Sequence, residues 1–153
     1  MSFIGELKKT GLAQIPDRLQ VYEQLVAEAA PLFELRGKEL EELNRDHAQN
    51  LMFYDLMLQE AKTIEEYLKL KMEETEGLIY RKYIESSARA LGANDLKMYV
   101  RGDPEYVEAN QILIDVAHIR KQLEAIVESM RTMGWSLSNI VKLRVGQLDH
   151  IVL

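Results

Sequence analysis

The chain has 153 residues, of which 47% are hydrophobic and 29% charged, with a formal net charge of -6. That length supports one domain around one core, and the composition excludes a disordered chain. The absence of Cys excludes disulfides and thiolate metal sites and suits a cytoplasmic location.

The opening residues MSFIGELKK lack a basic start followed by an apolar run, so they do not read as a secretion signal. No window holds the roughly 18 uninterrupted apolar residues that a membrane span needs. Ile15-Pro16-Asp17 starts a predicted helix that buries Leu19, Tyr22, Val26 and Ala29, and Pro31 breaks it. From Leu35 to about Ala90 there is no Pro, and Leu40, Leu43, His47, Leu51, Tyr54, Leu58 and Ala61 recur at spacings of three and four. Tyr67, Leu70 and Glu74 drift off that stripe. The run is either two helices hinged near Ala61 to Ile64 or one extended helix packed in an oligomer. Thr63-Ile-Glu-Glu66 resembles a capping box and favours the hinge.

Leu91 to Asp95 reads as a helix end and turn, and Leu96 to Val100 is ambiguous. Asp103-Pro104-Glu105 is a clear helix start, with a capping carboxylate, a Pro at the first position and an acid facing the dipole. The helix that follows carries Ile112, Val116, Ile119, Leu123, Ile126 and Met130 as a heptad seam. Gly134 is expected to end it as a left-handed cap, with Trp135 buried in the corner. Ser136 then caps a restart that buries Leu137, Ile140 and Val141. The tail ends in Ile151-Val152-Leu153. The pattern gives an all-α, elongated helical hairpin or bundle with a heptad-striped C-terminal helix. Either copies of the chain complete one another's core, or a monomeric bundle buries the same stripes.

The charge is unevenly spread. Residues 1–76 sum to -7, residues 77–101 to +3, residues 102–117 to -4 and residues 118–147 to +3. No phosphate-binding Gly loop, HExxH or Gly-x-Ser-x-Gly motif is present, so no enzyme activity or cofactor is expected. Asp115 and His118 form half of a carboxylate–histidine metal motif without its second half, and an ordinary surface pair is the better reading. Tyr80, Arg81, Lys82 and Tyr83 bring two cations and two rings together, with Arg89, Lys97 and Arg101 continuing the strip. Cations interleaved with aromatic rings suit single-stranded nucleic acid, whereas the plain alternative is core tyrosines flanked by solvated charges.

Three blocks resemble the recombination mediator (UvsY) family of T4-type bacteriophages. Gln49-Asn50-Leu51-Met52-Phe53-Tyr54, with Ile64 following, is similar to its opening helix. Lys97-Met-Tyr-Val100-Arg-Gly-Asp103, with Val107, is similar to its middle segment. Gly134-Trp135, Leu137, Ile140 and Arg144, preceded by Ala125-Ile126, keep its late spacing. The blocks cover roughly residues 45 to 145 in the family's order. Residues 1–44 then read as an N-terminal helical extension and residues 45–153 as the mediator domain.

The resemblance implies a non-catalytic protein that binds single-stranded DNA, helps displace the single-strand-binding protein and loads a RecA-like recombinase. It also implies a ring homo-oligomer of about six or seven subunits joined through C-terminal helices. Oligomerisation is assigned on that basis to Ile112, Val116, Ile119, Leu123, Ile126, Met130, Trp135, Leu137 and Ile140. By position Lys82 takes the place of a family Arg, and Tyr80 that of a family Lys. The alternatives are a scaffolding helical oligomer, or an adaptor that engages a protein partner through the seam and tail.

Overall fold

The computed structural model describes residues 11–87 and 90–151. Its helices are α1 (Ile15–Ala27), α2 (Leu40–Ser86), α3 (Ala93–Gly102) and α4 (Pro104–Ile151). Short 3-10 turns cover Gly11–Gln14 and Ala30–Phe33, and there is no strand among the described residues. The protein is therefore all-α. Arg89, Val152 and Leu153 lie outside the described residues.

The chain divides into two compact units. The first comprises residues 1–19 and 60–119, and the second residues 20–59 and 120–153. In the first unit Ile15, Ala61, Ile64, Leu68, Met72, Ile79, Leu96, Val100, Val116 and Ile119 are buried. The Arg18 guanidinium donates to Glu60 at 2.7 Å within it. In the second unit the buried set is Tyr22, Ala29, Leu43, Tyr54, Leu58, Leu123, Val127, Met130 and Leu137. There the Tyr54 hydroxyl donates to the Leu25 carbonyl at 2.8 Å. Each fully buried aliphatic side chain contributes about 2 kcal/mol, and these stripes are what stabilise helices of 47 and 48 residues.

The local start signals are realised. Pro31 sits in the 3-10 turn after α1. Gly37, at φ +76°, supplies a left-handed residue ahead of α2. Asp103 accepts the Glu105 amide at 3.0 Å as the cap of α4. The ambiguous 96–100 segment is helical, with Leu96 and Val100 buried.

Three expectations are corrected. The hinge at residues 61–64 is absent, because α2 runs unbroken from Leu40 to Ser86. The apparent drift of the stripe is ordinary helical phase. The buried apolar positions after Leu58 are Ala61, Ile64, Leu68, Met72 and Ile79, whereas Leu70 is exposed. The 44/45 boundary consequently falls inside α2, and residues ahead of it supply the core side chains Ile15, Tyr22, Ala29 and Leu43.

The corner at Gly134 is also absent, since α4 passes through it and Gly134 does not take positive φ. Gly134 instead admits a close neighbour. A Cβ there would lie 2.7 Å from Nε2 of His47. Trp135 is 74% exposed rather than buried. Ser136 does not cap a restart; its hydroxyl donates back to the Thr132 carbonyl at 3.3 Å.

The third correction concerns the heptad seam. Val116, Ile119, Leu123 and Met130 of the seam, and Leu137 beyond it, are buried within the single chain, so they pack as core of the chain itself. Ile112, Ile126 and Ile140 are half-buried. A seam on one long helix is equally well covered by the chain's own other helices, which periodicity alone does not distinguish.

Candidate nucleic-acid interface

The basic segment and α3 belong to the first unit. Ile79 marks the buried face of α2 at this point. Successive helix positions are about 100° apart, so Tyr80, Arg81, Lys82 and Tyr83 spread around the helix instead of forming one track. Tyr80 borders an open hollow of about 420 Å³ with Ile84, Ala93 and Leu96. Arg81 points elsewhere, into a shallow hollow shared with Glu73, Glu74, Gly77 and Leu78.

Lys82 and Tyr83 converge on Asp103 in the α3–α4 junction. Lys82 Nζ donates to Oδ2 of Asp103 at 3.2 Å, and the Tyr83 hydroxyl donates to the same oxygen at 3.1 Å. Asp103 is only 3% exposed. Burial alone pushes its carboxyl up, but bonds from the Glu105 amide, Lys82 and Tyr83 outweigh that and hold it below the ordinary carboxylate range. The hydrogen bond and charge of Asp103 in turn raise Lys82. For Tyr83 the bond to Asp103 and burial both push the phenol up. The single capping residue thus orders the end of α2, the end of α3 and the start of α4.

On α3, Leu96 and Val100 form the buried stripe. Lys97 and Arg101 are four residues apart on one exposed flank. Neither they nor Arg81 make an ion pair among the described residues. Tyr99 lies on the other flank, exposed, with its ring stacked on Tyr83 at 5.5 Å between centroids. Of the basic-strip residues, the structure therefore brings Lys82 and Tyr83 together and sets Lys97 with Arg101. It directs Tyr80 and Arg81 apart.

Asp103 and Tyr99 are the two members that sequence reasoning did not place in this site. Asp103 was legible as a helix cap and as the end of a family-like block, not as the partner of Lys82 and Tyr83. Tyr99 sat in the segment whose helical state was ambiguous, so its flank was undefined.

Among the described residues no cluster of three or more His, Asp or Glu side chains could hold a metal ion. Asp115 and His118 are exposed, and Asp115 accepts from Gln111 at 2.9 Å. No helix of the described residues is long and apolar enough to cross a membrane. No family model, curated protein or solved structure matches the chain.

Proposed function

We propose that the chain is a non-catalytic recombination mediator that binds single-stranded DNA and promotes loading of a RecA-like recombinase onto strands coated by single-strand-binding protein. The observation that carries the DNA-binding part is the exposed pair Lys97 and Arg101. No acid neutralises them among the described residues, and two exposed rings, Tyr80 and Tyr99, lie in the same unit. Cations for the backbone and π faces for the bases are what sequence-tolerant strand binding requires. The recombinase, the displaced protein and the ring of about six or seven copies rest on the three sequence blocks. With much of the heptad seam buried, contact between copies falls to the exposed Trp135 and Leu143 of α4, 74% and 67% exposed.

A scaffolding role is the second reading. It is favoured by the net charge of -6 and by the pairing of Lys82 with Asp103 inside the chain. Light scattering with and without oligo-dT, at two salt concentrations, separates the two. The mediator reading expects an oligomer that takes up oligo-dT at low salt and releases it at high salt. An oligomer that ignores oligo-dT at both would establish the scaffold, and a monomer would remove the ring.

A further inference from the structure

Tyr99 is the exposed end of a connected set of contacts. Its ring stacks on Tyr83 with planes inclined by 28°. Tyr99 is 52% exposed, while Tyr83 beneath it is half-buried. The Tyr83 hydroxyl is anchored on Asp103, whose other carboxylate oxygen is held by the Glu105 amide at 3.0 Å. Lys82 Nζ completes the set, bonded to Asp103 and 5.6 Å from the Tyr83 ring centroid. Tyr83 is therefore fixed at its hydroxyl by the cap of α4 and at its face by an ammonium.

We propose that Tyr99 is a base-stacking residue for single-stranded DNA, backed by Tyr83 and held in place by Asp103 and Lys82 as positioning residues. The inference rests on the single-stranded-DNA reading above and assigns its chemistry to particular side chains. Every nucleobase has a π face, so a presented tyrosine ring takes any base. Ordering a free side chain on binding costs entropy, and a ring already seated on a fixed neighbour loses less.

The same geometry reassigns Lys82. Its charge is balanced by Asp103, so it adds little net attraction for a phosphate and releases few counterions. Phosphate contact belongs to Lys97 and Arg101 on the opposite flank of α3. The exposed Met98 lies between the two flanks. A strand crossing the outer face of α3 meets cations on one side and the Tyr99 ring on the other.

The test compares a labelled oligo-dT with an abasic strand of equal length, each binding the full chain over a range of salt. Wild type should favour oligo-dT by about tenfold, within the range for a stacked base. Tyr99→Leu should abolish that preference without changing the salt slope, and Tyr99→Phe should retain it. Lys82→Ala should lose the preference at an unchanged slope. Arg101→Ala should keep the preference and make the slope shallower by about 0.7. A Tyr99→Leu chain that still prefers oligo-dT overturns the inference, as does a Lys82→Ala chain with a shallower slope. Both results leave DNA binding itself intact, whereas a wild type that binds neither strand removes the DNA-binding reading as well.

Discussion

His47 and Gly134 show how one residue's meaning depends on its neighbour in space. Nδ1 of His47 is buried without a hydrogen-bond partner among the described residues, and the imidazole tip occupies the room that Gly134 leaves open. Gly in a helix interior costs about 1 kcal/mol relative to Ala. Gly134→Ala should accordingly stabilise the chain by about 1 kcal/mol in a His47→Ala background, and by less in the wild type, where the ring must move. Equal gains in both backgrounds, measured by urea unfolding, would contradict the close approach.

Asp103 gives a second prediction at this scale. Its folded-state carboxyl is held below the ordinary value, so its contribution is complete above the ordinary carboxylate pKa of about 3.9 and is lost as pH falls through the depressed value. The stability difference between wild type and Asp103→Asn should narrow on acidification through that window. A difference that stays constant would mean that the carboxylate is not preferentially ionised in the fold.

At the scale of elements, α2 tests which local signals survive packing. Thr63-Ile-Glu-Glu66 has the composition of a capping box, but a cap requires an N-cap residue outside helical geometry, and Thr63 is within the helix. Ile64 and Leu68 are buried on either side of the tetrapeptide's end, so their packing favours continuity. Thr63→Pro should therefore cost about 3 kcal/mol, the expected penalty inside a helix. A cost near zero in urea unfolding would restore the hinge.

The all-α class, the start of α1, the break at Pro31 and the cap at Asp103 were legible in the sequence, because each depends on residues within a few positions of one another. The close approach at Gly134 was not, because it involves His47, some 87 positions away. The same holds for the site. The basic strip could be read from residues 80–83, but its division among different helix faces needed the position of the buried stripe. The tie between Lys82 and Asp103 needed the α3–α4 junction.

For the whole molecule, the acidic total and the local cations make opposite demands, and the balance between them governs any interaction with DNA. The net charge of -6 repels a polyanion at long range. On the proposed reading, short-range contact with Lys97, Arg101 and the exposed rings of Tyr80 and Tyr99 offsets that repulsion. Long-range repulsion and short-range attraction are both screened by salt, but counterion release from the strand dominates the equilibrium when contacts form. Arg101→Ala together with Lys97→Ala should weaken oligo-dT binding by at least tenfold at low salt, at the scale of about 1.4 kcal/mol for each factor of ten. The circular dichroism should be unchanged, since both side chains are exposed. The most direct measurement of the central claim is the affinity of the wild-type chain for oligo-dT across a salt series. The account predicts binding at low salt that declines linearly in log–log form, with a slope of about -0.7 for each phosphate contacted. No detectable binding at the lowest salt would contradict it.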